Sequence, residues 1–355
     1  YWYDRSGHGL YAIQNTDSSK ARYRVDSLGI AGHPALEFIP INRFMRADGL
    51  TKVGKNITVF EVATSNTQNW SSSGWIANAR TPNGFVMHVS NNNNSMRSEV
   101  LSGRGRLQYL GAESNHAIDI TKPNIYGIQW NQDERKHYSI LNDKKRPDNV
   151  GDFEARNPED TIYVRFGKDN WKRWGNGKIA EFLYYNVDLY ETKRILVSNY
   201  LSCRYGVTLE AEGRYEHCAS HKYDIIGIGQ VAYYDFHNEA KGEGNIHLKD
   251  PDQFADGDFL MLGHDGDSAE NWVSDNVPSG KVTYRRIKRT WAVSKSDQSG
   301  FKGSRDDNKY VSVLIDSSII PSGDDELGIA FSNSTDFSNS DEAVALFLNS
   351  DGKYE

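Results

Sequence analysis

The stretch Ile57-Thr58-Val59-Phe60-Glu61-Val62 is the clearest of several short alternating runs that decide the fold. Similar runs follow at residues 84–89, 126–130 and 137–141, and clusters of Gly, Asn, Asp and Ser separate them. A period of two with turn residues between the runs is typical of half-buried antiparallel strands. The sequence therefore predicts an all-β fold.

Composition supports this class and excludes two others. Hydrophobic residues make up only 37% of the 355 residues, while aromatic residues reach 12%, which suits sandwiches whose strands each bury one face. The net charge of −7 argues against a nucleic-acid partner, since such proteins carry a basic surface. No run approaches the roughly 20 apolar residues of a membrane-spanning helix, so we expect no direct membrane insertion.

One segment has helical rather than alternating spacing. Apolar residues recur at near-helical intervals between positions 189 and 203. Asp188 is placed to cap the start of the helix, and Glu191 three residues later completes a capping-box arrangement. Gly206 supplies a stop at the other end. The sequence predicts one helix, which would cover an open edge or end of the sheets.

Beyond the helix, a polar, histidine-rich stretch at 210–222 is a plausible connection between domains. Strand patterns then resume and predict a second, smaller β-sandwich over residues 223–355. The predicted strands span residues 223–228, 244–248, 258–262, 290–293, 310–315, 326–331 and 343–348.

Two segments resemble a known family. Residues 2–9 and 34–38 are similar to the W-x-D-x-S-G-x-G and P-x-L-x-F opening of LamG-like, concanavalin A-like domains. Residues 179–209 resemble the I-A-E-x-x-x-Y-N to Y-G-x-T-L ending of the same domains. The resemblance implies a jelly roll over residues 1–209 with one short closing helix. The strand that normally precedes the opening motif is missing, which implies a trimmed piece of a longer protein.

The second half carries its own resemblance. Residues 227–229, 259–266 and 286–293 are similar to a companion β-domain with the pattern G-I-G, L-x-x-G-H/N-D, R-x-x-R-x-W-x-V. That companion follows LamG-like units in large adhesin-type surface proteins of Bacteroidota, which use type IX secretion. The resemblance therefore implies a secreted, cell-surface location and further domains of a longer chain as partners.

Catalysis has weak support in the sequence. Arg97 and Glu99 match, within residues 96–101, the R-S-E-L-x-R-like strand of alginate-lyase-type jelly rolls. The two other lyase motifs are absent, and a charge pair on one strand face explains Arg97 and Glu99 equally simply. The acidic cluster of jelly-roll glycoside hydrolases is reduced to Asp119 alone.

Four tryptophans are candidate ligand-binding residues, because a flat ring can stack on a sugar. They lie in loop-like sequence rich in Gly, Ser and Asn: Trp70, Trp75, Trp171 and Trp174. Packing over a sandwich end is the alternative for each of them. Trp130 and Trp291 lie in strand patterns and are predicted to belong to the core.

Metal and thiol chemistry remain open. Asp258, Asp265 and Asp267 lie in an aspartate-rich stretch that could hold calcium, although aspartate is equally common in exposed turns. Cys203 and Cys218 are the only cysteines in the chain. They either form a disulfide, which export would favour, or stay as buried free thiols.

These observations favour a non-catalytic extracellular binding or adhesion module of a bacterial surface protein. Its partner would be a glycan or a protein at the cell surface. Two alternatives stay open, namely a polysaccharide-lyase-like enzyme and a structural spacer of a long adhesin or filament.

Overall fold

The computed structural model divides the chain into two compact units, and each is described by itself. Residues 1–189 and 204–212 form the first unit, and residues 190–203 and 213–355 form the second. The structure describes residues 1–39, 43–50, 54–66, 75–78, 84–89, 96–100, 110–113, 118–148, 161–168, 175–211, 213–243, 245–251, 254–273, 286–296, 311–315, 328–331 and 342–345.

The first unit is an all-β jelly-roll sandwich, as predicted. Its strands are β1 Trp2–Tyr3, β2 Tyr11–Ile13, β3 Arg22–Asp26, β4 Gly32–Phe38, β5 Met45–Leu50, β6 Ile57–Ser65, β7 Trp75–Asn78, β8 Phe85–Val89, β9 Met96–Val100, β10 Leu110–Glu113, β11 Asn124–Asn131, β12 Lys136–Leu141, β13 Lys144–Asp148, β14 Ile162–Phe166 and β15 Gly177–Tyr185. One antiparallel sheet has the order β1-β2-β5-β14-β7-β8-β9-β10. The other has the order β13-β12-β11-β6-β15-β4-β3.

The core of this unit lies between the two sheets. Alternate residues of β6, β11 and β14 point inward, and Trp130, Phe85 and Met87 are fully buried in the same core. Phe85 stacks on Phe182 across the core, with ring centroids 6.3 Å apart. The prediction that Trp130 belongs to the core is confirmed.

The centre of the seven-stranded sheet is buried on both faces, so the prediction of half-buried strands is wrong there. Phe60, Val62, Ile125 and Ile140 lie on the face that points away from the inter-sheet core, yet each is fully buried. Alternation in the sequence cannot reveal this, because it depends on what covers the outer face.

Hydrogen bonds hold two segments of the same unit against that outer face. The Thr58 hydroxyl donates to the Val187 carbonyl at 3.0 Å, and the Gln129 amide donates to the Leu189 carbonyl at 2.6 Å. The Tyr205 hydroxyl donates to the Glu181 carboxylate at 2.7 Å. These bonds hold residues 186–189 and 204–211 over the seven-stranded sheet. The other outer face of the sandwich is that of the eight-stranded sheet.

The helix, α1 Glu191–Tyr205, begins later than predicted. The Asp188 carboxylate accepts hydrogen bonds from the side-chain amides of Gln129 and Asn131, so the capping-box interpretation is wrong. The backbone N–H groups of Glu191 and Thr192 donate instead to the Asp235 carboxylate, at 2.9 and 3.1 Å. This capping carboxylate lies in another part of the chain. The helix does stop at Gly206, whose φ of +65° suits glycine.

The apolar side of α1 contributes to the second unit. Ile195, Leu196 and Cys203 belong to a buried cluster with Tyr215, Ile225, Phe259 and Met261. We expected this side to cover the jelly roll, but residues 190–203 are grouped by their contacts with the second unit.

The second unit is also built from antiparallel strands. They are β16 Tyr223–Ala232, β17 Asp235–His237, β18 Glu239–Lys241, β19 Ile246–Lys249, β20 Phe259–His264, β21 Trp272–Val273, β22 Arg286–Ile287, β23 Trp291–Ser296, β24 Ser312–Ile315, β25 Gly328–Phe331 and β26 Glu342–Ala345. Each of the seven predicted segments contains or overlaps one of these strands.

Two sheets of this unit share a second core. The sheet β17-β16-β20-β23 contributes Ile228 and Leu262, and the sheet β18-β19-β24 faces it with Leu248. Trp291 packs against this cluster and is partly buried. Strands β21 and β22 pair with each other, as do β25 and β26. Within the described residues, no helix has the length and apolar character needed to cross a membrane.

Cys203 at the end of α1 and Cys218 form a disulfide that closes a 15-residue separation in the second unit. In the chain-entropy view, a loop of this length stabilises the folded state by about 3 kcal/mol. We therefore expect reduction, or the Cys203→Ser and Cys218→Ser pair, to lower the free energy of unfolding by about that amount. Guanidinium unfolding with and without reductant measures it, and the double-serine variant is the control that reductant should leave unchanged. Equal midpoints for the oxidised and reduced parent chain would contradict the expectation.

Candidate functional site

The outer face of the eight-stranded sheet is where the candidate site lies. Trp2, Ala12, Met45 and Val164 are inward-facing members of the core or pack against it, so their neighbours along each strand lie on the outer face. The face is covered at one position at least, because Val86 on β8 is fully buried. The accessible described side chains lie on β1, β2, β5 and β14.

Tyr3 on β1, Tyr11 on β2 and Tyr1 just before β1 form an exposed aromatic group, the tyrosine cluster. Tyr1, Tyr3 and Tyr11 are 73%, 67% and 45% exposed. The ring centroid of Tyr1 lies 5.8 Å from that of Tyr3 and 5.3 Å from that of Tyr11, and the rings of Tyr3 and Tyr11 are 6.2 Å apart. Tyr3 and Tyr11 are direct cross-strand partners.

The strands that carry the tyrosine cluster are anchored to the core and to each other. Trp2, between Tyr1 and Tyr3, points inward and packs edge-on against Phe166, with centroids 5.1 Å apart. The Asp4 backbone N–H donates to the Leu10 carbonyl at 2.9 Å and closes the turn between the strands. An inward tryptophan flanked by two tyrosines is the signal that could have found this cluster in the sequence.

A second group on the same face combines cations with aromatic rings, and we call it the basic ribbon. It consists of Phe44, Arg46, Tyr163, Arg165 and Lys168. The guanidinium carbons of Arg46 and Arg165 lie 4.1 and 4.9 Å from the centre of the Tyr163 ring. The Lys168 ammonium lies 4.8 Å from the centre of the Phe44 ring.

The basic ribbon adjoins the tyrosine cluster through strand pairing. Arg46 on β5 is the direct partner of Arg165 on β14 and of Ile13 on β2. Tyr11 precedes Ile13 by two positions on the same strand, and therefore shares its face. Arg46 also pairs with the Asp48 carboxylate at 2.5 Å.

The lyase candidates Arg97 and Glu99 lie on β9 of this sheet. Ser98 between them is fully buried and faces the other sheet, where its hydroxyl lies 3.0 Å from His137 Nε2. Positions 97 and 99 therefore lie on the outer face. Arg97 pairs in register with His88 on one side and Glu113 on the other. The strand register thus places positions 88, 97 and 113 in one row, while the side chains of His88, Arg97, Glu99 and Glu113 lie outside the described part of the structure.

The polar group around Ser98 lies in the core and is not a reaction centre. Its members Ser98, His137 and Ser139 are all buried, and the hydroxyls of Ser98 and Ser139 are 3.0 Å apart. Burial lowers the pKa of His137 to about 3, so its imidazole is neutral at ordinary pH. A serine–histidine pair with no exposed surface cannot reach a dissolved substrate.

Glu61 is a second buried polar group that sequence reasoning missed. Its side chain is fully buried on β6, and neither carboxyl oxygen has a hydrogen-bond partner in the structure as described. Burial raises the pKa of this carboxyl well above its ordinary value. Burial therefore favours the protonated, uncharged form of this carboxyl.

Three of the four tryptophan candidates lie in parts of the chain that the structure does not describe. Trp70, Trp171 and Trp174 lie outside the described residues. Trp75 begins β7, and its backbone pairs with His88. Their role in ligand binding stays a prediction.

The calcium candidates belong to the second unit, where each is engaged by local hydrogen bonds. The Asp258 carboxylate accepts from the Ala255 N–H at 2.7 Å, and Asp265 accepts from the Thr290 hydroxyl at 2.6 Å. Asp267 accepts from the Lys288 ammonium at 3.0 Å. Over the described ranges, no three acidic, histidine or cysteine side chains are gathered so that they could hold a metal ion. Calcium binding stays an untested prediction.

Comparison with known proteins gives distant likenesses only. No protein-family model and no curated protein matches the chain. Among solved structures, the receptor binding domain of botulinum neurotoxin D matches with 11% identity, 97% of this chain, 89% of that chain and a TM-score of 0.45. The native heptameric SAP-like pentraxin from Limulus polyphemus matches with 13% identity, 47% of this chain, 81% of that chain and a TM-score of 0.34.

A third likeness is the CBM40 of the Ruminococcus gnavus IT-sialidase, bound to alpha2,3 sialyllactose, with 12% identity. It covers 46% of this chain and 96% of that chain, with a TM-score of 0.34. At these scores and identities the likenesses carry no conclusion about function, which has to come from the chain's own residues.

Proposed function

We propose that this chain is a non-catalytic binding module that holds a glycan on the outer face of its eight-stranded sheet. The tyrosine cluster carries the proposal. Three mutually contacting aromatic rings left in water bury little of their apolar area, and such exposed patches mark binding surfaces. A ring on a strand is held firmly and can stack on the flat face of a sugar at small entropic cost.

We also propose an extracellular setting. The Cys203–Cys218 disulfide supports it, because such bonds persist in oxidising compartments and are rare in the cytosol. The sequence resemblance at residues 2–9 and 179–209 supports a secreted, adhesin-type surface protein of Bacteroidota with further domains. Measuring the thiol content of the protein from its native source, with and without reductant, tests the setting.

The lyase alternative rests on the register that places His88, Arg97 and Glu113 in one row. Incubation with several polyuronates, followed by ultraviolet detection of unsaturated products, decides it. We expect no product above background. Product that disappears in the Arg97→Ala variant would establish an enzyme instead of a binding module. Failure to bind any saccharide or protein would favour the structural spacer.

The binding proposal predicts a loss of glycan affinity when the tyrosine cluster is truncated. Tyr3→Ala or Tyr11→Ala should each weaken binding about 5- to 10-fold, because each removes roughly 1 kcal/mol of ring contact. A glycan array identifies the ligand, and isothermal titration calorimetry measures the affinity.

Tyr23→Ala is the matched control for this prediction. Tyr23 is 68% exposed, like Tyr3, but lies on β3 of the other sheet. If all three variants weaken binding equally, or none does, the tyrosine cluster is not the glycan site.

A further inference from the structure

We infer that strand β3 is the contact surface of a homodimer, in which it pairs with β3 of a second copy of this chain in antiparallel register. The inference goes beyond the proposed glycan binding and does not depend on it. It rests on the position of β3 in its sheet, on two exposed apolar side chains and on the order of charges along the strand.

Strand β3, Arg22–Asp26, forms one edge of the seven-stranded sheet. Among the strands that the structure describes, β4 alone pairs with it, so in that part of the chain the other side of its backbone has no neighbouring strand. An edge of this kind presents N–H and C=O groups to which a strand of another chain can hydrogen-bond. The five residues of β3 are enough for a short antiparallel ladder.

Two apolar side chains of β3 are exposed although they point to the core side of the sheet. Tyr23 pairs directly with Leu36, which belongs to the core, and therefore lies on the same face. Val25, two positions later, shares that face. Yet Tyr23 is 68% and Val25 41% exposed. A strand added beside β3 would cover one flank of both side chains and extend the core.

The order of charges along β3 is complementary to itself. If two copies pair antiparallel about Arg24, Arg22 of each copy faces Asp26 of the other. Both Arg22 and Asp26 are exposed, and within the described residues neither side chain has an ion pair. Opposite charges that face each other across two strands stabilise the pairing.

The same register also suits the apolar face. Tyr23 of each copy faces Val25 of the other, and an aromatic ring beside a β-branched side chain is a favourable cross-strand pair. Pairing about a twofold axis uses the same strand of both copies. It therefore gives a closed dimer rather than a fibre.

The centre of this register brings two Arg24 side chains opposite each other. Each is paired within its own copy, because its Nε and Nη2 atoms donate to the Glu37 carboxylate at 2.8 and 2.6 Å. The ion pair is half-buried, with 28% of the Arg24 and 13% of the Glu37 side chain exposed. The Glu37 carboxylate thus compensates the charge at the one position where like residues meet.

The opposite edge of the same sheet is less suited to pairing. It is formed by β13, which contains Pro147. A proline has no backbone N–H to donate and is one of the means by which an edge strand avoids pairing with another chain. Strand β3 contains no proline. The contrast favours β3 as the edge that accepts a second copy.

Analytical ultracentrifugation of the whole chain over a dilution series tests the inference. We expect a reversible monomer–dimer equilibrium that shifts to monomer on dilution, because an interface built on one short strand pair is small. Fitting the sedimentation coefficients against concentration gives the dissociation constant. A chain that sediments as a monomer at every concentration, or that forms larger oligomers without a dimer, would overturn the inference.

Two charge reversals then assign the interface and its register. Arg22→Asp and Asp26→Arg each place like charges opposite each other at two positions, and each should raise the dissociation constant of its own homodimer at least about 10-fold. An equimolar mixture of the two variants should dimerise as tightly as the parent, because each charge then faces its opposite. Lys55→Asp, an exposed reversal on the turn before β6, is the matched control and should leave the parent's dimer unchanged.

The outcomes are distinct. Homodimers of both reversal variants as tight as the parent's, or a mixture that fails to restore dimerisation, would overturn the inference. Tyr23→Ala should also weaken the dimer, but calorimetry with a short oligosaccharide reports the affinity of each site, so this variant remains the control for glycan binding. A monomeric chain that binds glycan through the tyrosine cluster would overturn this inference and leave the proposed function standing.

Discussion

Replacing Glu61 with leucine is expected to raise the free energy of unfolding of the first unit by about 3–5 kcal/mol at neutral pH. The parent carboxyl is fully buried, and its oxygens lack hydrogen-bond partners among the described residues. Folding therefore either removes an ionised group from water or forces it to take up a proton. Leucine has a similar size and removes both costs.

The contribution of Glu61 to the free energy of unfolding depends on pH, and the direction of its pKa shift gives the sign. In the unfolded chain Glu61 ionises above its ordinary pKa of 4.5, whereas burial raises the pKa in the folded state well above that value. The stability linked to this group is fully present below pH 4.5 and is lost as pH rises toward the folded pKa. Glu61→Gln should abolish this loss of stability between pH 4.5 and neutral pH.

Denaturant unfolding of the parent and the Glu61→Gln variant across a pH series measures this slope. Glu134→Gln is the matched control, because Glu134 is a surface carboxylate with 55% of its side chain exposed. We expect its curve to follow that of the parent. A Glu61→Gln curve that also runs parallel to the parent would show that the carboxyl is not buried as a neutral acid.

His137 should produce the opposite slope on the acid side. Burial lowers the pKa of its imidazole from 6.5 to about 3, so the unfolded chain takes up the proton first as pH falls. The stability linked to His137 is fully present above pH 6.5 and is lost as pH falls toward 3. The total loss is about 4–5 kcal/mol, and most of it should vanish in His137→Asn.

Asparagine keeps a polar group beside the Ser98 hydroxyl but does not titrate. The measured quantity is therefore the slope of the unfolding free energy with pH, which is independent of any constant loss from the substitution. His8→Asn, at an exposed turn, serves as the control and should retain the parent's slope. Parallel acid unfolding of the parent and His137→Asn would refute the assignment.

The two groups together predict opposing pH dependences. Above the ordinary pKa of Glu61, 4.5, and below that of His137, 6.5, their contributions to the unfolding free energy change in opposite directions as pH rises. Over this window the Glu61→Gln variant should gain stability as pH rises, and the His137→Asn variant should lose it. Slopes of opposite sign in the two variants would be hard to explain by any other pair of groups.

Much of the strand pattern was predictable because it is local. Residues 57–62 fall inside β6 and residues 137–141 inside β12. The burial of the second face was not predictable, since it depends on residues 186–189 and 204–211 far along the chain. The burial of Glu61 has a different cause. Alternation places it on the core face of β6 with Ile57 and Val59, although a carboxylate suggests a wet face.

In the helix and in the candidate site, too, some features depend on nearby residues and others on residues far along the chain. Gly206 ends α1 as its local signal predicts, but the start depends on Asp235, which no pattern near residue 190 reveals. The sequence predicts loop tryptophans as binding residues, whereas the tyrosine cluster of the structure includes Tyr3 and Tyr11. These two residues meet only because a hairpin pairs their strands.

The assignment of most of α1 to the second unit affects how the two units can be inherited. The chain leaves the first unit after residue 189, supplies residues 190–203 to the second, and returns for residues 204–212. A recombination break at a single point cannot deliver both units whole. A break after residue 209, for example, would carry off Ile195, Leu196 and Cys203 without the rest of their cluster. Gene transfer that preserves both folds has to move them as one cassette.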